Sequence, residues 1–236
     1  MGTWNPRSPM RAIRILMTVA LLLAGSAHAA SFNSAPGAAL ADGVGDVSPT
    51  LDSIDTSATF GAGFMVTDVS IDVMLDHSWV GDIAVTLFSP DGTELQVMAR
   101  PGSIAADEAT GNPFGDSSNL SSANPITFSD LGAASAETLG SCCNNNTAVP
   151  ASSFTPDADG WSTDVASFAG FDNETAGGLW TLRVGDYANF DTGTLVEWNL
   201  HLTAVLVPEP STGALLALGL VGLAIASRRR PGLSRP

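Results

Sequence analysis

The fold is decided by residues 69–99, which read VSIDVMLDHSWVGDIAVTLFSPDGTELQVMA. Apolar and polar side chains alternate along residues 69–75 and 83–88, the period of two that is typical of a strand with one buried face. Residues 89–92 are Ser-Pro-Asp-Gly, with proline and glycine in the positions that a tight turn favours. Residues 95–97 then begin a return strand, so this stretch predicts a β-hairpin.

The same alternation returns near the end of the chain. Residues 180–184 and 196–202 predict two further strands, each with one apolar face. These faces comprise Trp180, Leu182 and Val184 in the first strand, and Val196, Trp198, Leu200 and Leu202 in the second. No convincing helical period lies between residues 30 and 205. The predicted fold is therefore an all-β, antiparallel β-sandwich in which two sheets close over one apolar layer.

Between residues 101 and 177 the pattern loosens, and small and polar residues dominate. Such a composition predicts long loops on the sandwich, with residues 126–128 as one short strand. Four aromatic side chains of this region are expected to pack into the core rather than to form a platform for sugars. They are Phe154, Trp161, Phe168 and Phe171.

The charge is strongly acidic and unevenly placed. The formal net charge is −15, from 24 acidic residues and nine arginines, with no lysine. Of the acidic residues, 23 lie between residues 30 and 207, where Arg100 and Arg183 are the only arginines. Such a body repels DNA, RNA and anionic lipid, which excludes nucleic-acid partners, and it attracts cations. An acidic secreted surface is the simpler interpretation, and a dedicated cation site is the alternative.

Residues 1–29 have the three parts of a secretory signal peptide. Arg7, Arg11 and Arg14 precede an apolar run at residues 15–24, and Ala27-His28-Ala29 forms an A-x-A cleavage site. The run is too short to span a bilayer comfortably, which favours cleavage. The mature chain is expected to begin at Ala30, and residues 30–44 are predicted to be a linker.

A second apolar run lies near the C-terminus, and it predicts a transmembrane helix over residues 211–227. Prolines at 208 and 210 prevent this helix from extending upstream. At ~1.5 Å per residue the helix is about 25 Å long, a length that bilayer thinning and arginine snorkelling can accommodate. Residues 228–230 are all arginine, and the positive-inside rule places them in the cytoplasm with the acidic body outside.

The motif Pro208-Glu209-Pro210 is followed by the short apolar helix and then by the arginine cluster. This order resembles a PEP-CTERM sorting signal over residues 206–230, within a tail of residues 205–236. The resemblance implies processing by exosortase, a membrane enzyme of Gram-negative bacteria. The tail would then be a transient inner-membrane anchor, removed when the protein passes to the cell surface or extracellular matrix.

Three segments resemble, in order, the P domain, or Homo B domain, of subtilisin-like proprotein convertases. They are residues 77–93, residues 126–130, and residues 177–186 with 193–200. Order and spacing agree over residues 45–204, and the resemblance implies a jelly-roll-like sandwich. In convertases this domain is not the catalyst but the companion that stabilises the catalytic domain.

No catalytic constellation is evident in the sequence. A Ser–His–Asp hydrolase needs a nucleophile, a histidine base and an orienting acid. After signal-peptide removal only His77 and His201 remain as histidine bases, and the sequence lacks a G-x-S-x-G nucleophile elbow. We therefore predict that the protein is not an enzyme.

Calcium binding is the more plausible site chemistry, because calcium prefers clustered carboxylate and carbonyl oxygens. Asp82, Asp186 and Asp191 are the candidate ligands, and residues 157–160 form a second acidic cluster. None has EF-hand spacing, and a turn cap or a solvated surface charge is the favoured alternative for each aspartate. The histidines and cysteines lack the spacing of a zinc site.

Cys142 and Cys143 are adjacent. In an oxidising exterior they can form a vicinal disulfide, remain two thiols or cross-link to another chain, and the sequence does not decide among these.

Taken together, these features predict a secreted or surface-sorted, non-catalytic interaction or structural module of an extracellular matrix, with an extracellular polymer or protein as its partner. An accessory domain of a subtilisin-like serine endopeptidase is the first alternative. A carbohydrate-binding module is the second.

Overall fold

Alternating apolar residues produce strands throughout the part of the chain that the computed structural model describes, which is residues 26–103, 114–143, 147–158, 161, 163–207 and 219. These residues contain eleven β-strands and four short 3-10 helices. The strands are β1 (Ala27–Ser34), β2 (Ala38–Ala39), β3 (Thr50–Asp55), β4 (Phe64–His77), β5 (Ile83–Phe88), β6 (Glu94–Ala99), β7 (Ile126–Phe128), β8 (Ala134–Ser135), β9 (Ser152–Thr155), β10 (Leu179–Asp186) and β11 (Gly193–Leu206). The 3-10 helices are Gly45–Val47, Val80–Asp82, Ala136–Thr138 and Phe168–Phe171.

The strands form two sheets, which confirms the all-β class. Seven strands make the larger sheet, in the order β1-β11-β4-β7-β9-β8, with β2 also paired to β11. The smaller sheet has the order β3-β10-β5-β6. The predicted hairpin is β5 and β6, and its turn is closed by the Gly92 N–H donating to the Ser89 carbonyl at 3.0 Å.

The prediction of a wholly antiparallel sandwich is wrong at one edge of the larger sheet. Strands β7 and β8 both pair with β9 in parallel. Two parallel strands require a long connection, and the loop-rich segment between β7 and β9 provides one. The remaining strand pairs are antiparallel.

Residues 27–206 form one compact unit, so the predicted linker at residues 30–44 is wrong. Strands β1 and β2 both pair with β11, Phe32 packs against the core and Leu40 is buried in it. Without these strands, β11 would present a long row of unpaired backbone groups at the sheet edge. Cleavage after Ala29 would leave the five residues Ala30–Ser34 paired with β11.

Of the second unit, the two chain ends, the structure describes only Ser26, Val207 and Gly219. The sorting motif, the membrane helix predicted at 211–227 apart from Gly219, and most of the predicted signal peptide lie outside the described residues. Among the described residues, none belongs to a helix long and apolar enough to span a bilayer.

The core forms where the alternation predicted it. The inward residues of β4, β5, β6 and β10 are buried in one cluster, and so are Phe154 of β9, Phe168 and Phe171. Trp161, the fourth aromatic expected in the core, is only half-buried and packs edge-on against Tyr187, with ring centroids 4.8 Å apart. Trp180 and Trp198 are completely buried. The indole Nε1 of Trp198, in the larger sheet, donates to the Asp52 carboxylate of the smaller sheet at 2.7 Å. This bond joins the two sheets.

A β-bulge changes the buried face of β11. Trp198, Leu200 and Leu202 are buried as predicted, but Val196 is only half-buried and Leu195 is fully buried. The register against β4 shifts between Leu195 and Glu197. The extra residue of the bulge reverses the in–out alternation at this point.

The structure joins Cys142 and Cys143 in a vicinal disulfide, with Cα atoms 3.8 Å apart. The main-chain carbonyl of Cys143 accepts a hydrogen bond from the buried Ser118 hydroxyl at 3.2 Å. Of the three states that the sequence left open, the structure therefore contains the vicinal disulfide.

Candidate functional site

Three polar residues of the hairpin and closing segments meet where β4, β5 and β10 come together. His77 is the last residue of β4, Asp82 lies in the 3-10 helix just before β5, and Asp186 is the last residue of β10. The register of β10 on β5 places Asp186 opposite Ile83, next to Asp82. Strand pairing thus brings together two of the three carboxylates that the sequence suggested.

His77 and Asp186 form a buried pair. The Nε2 atom of His77 lies 3.2 Å from Oδ2 of Asp186, and both side chains are fully buried. The Nδ1 atom of His77 lies 2.8 Å from the Trp79 carbonyl, and the Ala188 N–H donates to the other Asp186 oxygen at 3.3 Å. Burial raises the pKa of Asp186, and the hydrogen bond from His77 opposes this rise. Both Asp186 oxygens therefore have partners within the protein.

Asp82 is different, because its carboxylate makes no hydrogen bond to any described residue although only 3% of the residue is exposed. Its main chain is held firmly: its N–H donates to the Trp79 carbonyl at 3.2 Å, and its own carbonyl accepts from the Tyr187 N–H at 2.9 Å. Burial raises the pKa of Asp82 to about 6, with a further contribution from the negative charge of Asp186. Unpaired buried carboxylates are unfavourable and are often found at functional sites.

This raised pKa predicts a pH-dependent stability. Between pH 3.8, the ordinary value, and about 6, the folded protein binds the Asp82 proton more tightly than the unfolded chain does. The free energy of unfolding therefore falls as the pH rises through this window. Asp82→Asn is expected to remove that decline and to stabilise the protein at pH 7, as urea unfolding at several pH values would show.

The exposed Asp68 supplies the control, and Asp68→Asn should leave the decline in place. If the free energy of unfolding of Asp82→Asn showed the same decline between pH 4 and 7 as that of the unchanged protein, the decline would not come from Asp82.

Asp82 lies in the wall of a cleft of about 450 Å³. The cleft is lined by Trp79, Asp82, Phe114, Tyr187, Ala188, Asn189, Phe190 and Asp191. It thus combines four aromatic rings with two carboxylates. Asp186 is not among the lining residues, since it faces His77.

Main-chain and side-chain hydrogen bonds fix the walls of this cleft. The Trp79 Nε1 donates to the Phe114 carbonyl at 2.6 Å, and Ser78 Oγ donates to Asp191 Oδ1 at 2.6 Å. Gly81 lets the two loops meet, because a Cβ there would lie 2.6 Å from main-chain atoms of residues 114–116. The aromatic and acidic walls are therefore preformed.

The described residues contain no group of three or more His, Cys, Asp or Glu side chains arranged to hold a metal ion. Asp82 and Asp191 line the cleft, whereas Asp186 pairs with His77. In the second acidic cluster, Asp157 accepts a hydrogen bond from Ser135, and Asp159 lies outside the described residues. Calcium binding by Asp82, Asp186 and Asp191 remains a prediction.

One constellation that the sequence reasoning missed lies on the outer face of the larger sheet. Ser31 Oγ lies 2.8 Å from His201 Nδ1, and His201 Nε2 lies 2.9 Å from Asp72 Oδ2. Thr127 Oγ1 donates to the other Asp72 oxygen at 2.6 Å. These residues come from β1, β11, β4 and β7, so the chain of hydrogen bonds ties four strands together. No sequence motif could have indicated it, since strand register alone makes the residues neighbours.

Comparison with known families confirms the two resemblances. Residues 66–124 match the family model of the proprotein convertase P-domain, and residues 206–230 match that of the PEP-CTERM protein-sorting motif. The P-domain is a non-catalytic accessory domain, and the sorting motif implies export, surface sorting and processing by exosortase in Gram-negative bacteria. Both matches support an exported, sorted protein. No curated protein matches the chain.

Among solved structures, the chain is similar to the serine protease of Aeromonas sobria. In the complex of this protease with the chaperone ORF2, the match has 18% identity and a TM-score of 0.42, and it covers 76% of this chain and 27% of the other. For the protease alone the values are 19% identity and a TM-score of 0.44, with 75% and 27% covered. The chain thus spans about a quarter of the length of the matched protein.

Proposed function

We propose that the protein is a surface-sorted, non-catalytic P-domain module that binds a protein or polymer partner in the extracellular matrix of a Gram-negative bacterium. The observation that carries this proposal is the position of the sorting motif. The compact acidic unit ends at Leu206, and the PEP-CTERM match begins at residue 206. A compact β unit is therefore followed directly in the sequence by the matched sorting motif, the segment on which we propose that exosortase acts.

The proposed route follows from the two chain ends. The signal peptide directs export and is removed after Ala29, and the helix at 211–227 then holds the protein transiently in the inner membrane. Exosortase cuts near Pro208-Glu209-Pro210 and releases the acidic body. On this route the body, a jelly-roll-like sandwich in our proposal, is the part that acts outside the cell.

Substitution of the sorting motif tests this proposal. Pro208→Ala, Glu209→Ala and Pro210→Ala combined are expected to leave the full-length chain in the inner-membrane fraction, whereas the unchanged protein is recovered in shortened form at the surface. The physical reason is that the apolar helix stays attached when exosortase does not cut. Immunoblots of cell fractions measure the outcome.

A matched control replaces Pro231 and Pro236 with alanine, since both lie beyond the matched residues 206–230. This variant should be sorted like the unchanged protein. Recovery of the unchanged protein in the cytoplasm with an intact N-terminus would refute the proposal, and so would normal release of the motif variant.

The P-domain match favours one alternative, a module that assists a separately encoded subtilisin-like serine endopeptidase. Affinity purification of the protein from the native surface distinguishes the two functions. Recovery of such a protease in equal amount would support the alternative, and its absence together with matrix material would support our proposal.

A further inference from the structure

We propose that the aromatic and acidic cleft is a recognition site for an arginine side chain presented by a partner polypeptide. This inference rests on the proposed function, because it names the chemistry of the partner that the exported module binds. The cleft is formed by the segments that follow β4 and β10 together with Phe114.

The lining of the cleft suits a planar organic cation. Aromatic faces attract a guanidinium through their quadrupole, and carboxylates accept its N–H donors in a forked geometry. The cleft offers both types of group, with Trp79 and Phe190 among its aromatic residues and Asp82 and Asp191 as its carboxylates. Because a guanidinium is more weakly hydrated than an ammonium, it enters such a site at less desolvation cost.

The carboxylate of Asp82, which has no hydrogen-bond donor among the described residues, indicates that a ligand of the cleft would supply N–H donors. The Asp82 residue is only 3% exposed and lines the cleft, and no described residue donates a hydrogen bond to its carboxylate. The charge of Arg100 favours the ionised form of Asp82, but its Nε donates to the Gly81 carbonyl at 3.0 Å. The partner's guanidinium would supply two N–H donors to Asp82 from the cleft.

Phe190 provides a ring that a partner can cover. The residue is 96% exposed, and its backbone has a φ of 93°, which is rare for a residue with a side chain. Its N–H donates to the Asp42 carboxylate at 3.1 Å, so the loop is anchored while the ring points into solvent. An exposed ring fixed at the rim of a cleft is typical of a contact surface.

Charge complementarity favours a cationic partner over a neutral one. Between residues 30 and 207 the chain has 23 acidic residues against two arginines, so its field attracts basic polypeptides from a distance. A cleft of about 450 Å³ lined by four aromatic residues is larger and less polar than a single metal ion requires. The same chemistry gives a neutral sugar no electrostatic advantage.

Calorimetric titration of the surface-purified protein tests the proposal. The probe is acetyl-Gly-Ser-Arg-Ser-Gly-amide, and its matched control carries citrulline, the neutral isostere, in place of arginine. We expect the citrulline peptide to bind at least about tenfold more weakly. Raising the salt concentration should weaken the arginine peptide alone.

Variants locate the binding in the cleft. Asp82→Asn and Asp191→Asn are each expected to weaken the arginine peptide about tenfold. Phe190→Ala should weaken it about threefold without changing the thermal midpoint, because the ring is exposed. Leu131→Ala, a change at a residue that is 93% exposed and does not line the cleft, and Asp68→Asn should change nothing.

Three results would overturn the proposal: equal affinities for the arginine and citrulline peptides, equal affinities of the cleft variants and the unchanged protein, or binding of a neutral oligosaccharide that Phe190→Ala abolishes. Calcium chloride titrated alone is a further arm. Calcium binding that Asp82→Asn removes, with no heat from the peptide, would assign the cleft to a metal instead. None of these results bears on sorting, which the motif variant tests separately.

Discussion

Trp198→Ala is expected to lower the free energy of unfolding by about 3–5 kcal/mol, the range for deleting a fully buried aromatic side chain. Trp198 is completely buried in β11, and its indole also donates to Asp52 across the two sheets. Removing the ring leaves a cavity and takes a hydrogen-bond donor from the carboxylate of Asp52, which is half-buried. For a domain of this size the thermal midpoint should fall by roughly 10 °C, measured by circular dichroism.

Trp198→Phe separates the two contributions, because it keeps most of the ring but removes the hydrogen bond to Asp52. Its effect should lie well below that of the alanine variant. Leu131→Ala, at a residue that is 93% exposed, should change the midpoint little. A Trp198→Ala variant as stable as Leu131→Ala would mean that the two sheets do not share one core.

The second large effect is expected for Asp186→Ala, at about 3 kcal/mol. This change strands the buried His77 ring and the half-buried Ala188 N–H, and a stranded group costs about 1–3 kcal/mol. Both bonds are seen in the structure, at 3.2 Å and 3.3 Å. Urea unfolding at pH 7 measures the loss, and Asp186→Asn, which keeps an acceptor, should show a smaller one.

Asp68→Ala is the matched control, since Asp68 is an exposed aspartate of β4. Its effect should be within about 0.5 kcal/mol. If Asp186→Ala and Asp68→Ala proved equally mild, the buried pair would not hold the ends of β4 and β10 together.

The strands could be predicted wherever residues that are close together in the sequence determine the backbone conformation. The alternation in β4, β5, β6 and β10 and the Ser-Pro-Asp-Gly turn specify their own conformation, and the structure has them as predicted. The bulge in β11 could not be predicted, because it depends on the register with β4. The parallel pairing of β9 and the pairing of β1 with β11 likewise join segments that are far apart in the chain.

The candidate site shows the same division. Asp82 and Asp186 were recognisable as candidate ligands, and strand pairing does bring them together. The sequence did not reveal that Asp186 pairs with His77 while Asp82 faces a cleft. Nor did it indicate that Phe114 and Phe190 would line one cleft, since they lie 76 positions apart and only tertiary packing brings both to it.

The most direct test of export and sorting is the intact mass of the protein recovered from the native cell surface. The proposed function predicts a single chain that begins at Ala30, ends near Pro208-Glu209-Pro210 and contains one disulfide. A chain that retains residues 1–29 and 211–236 would contradict it.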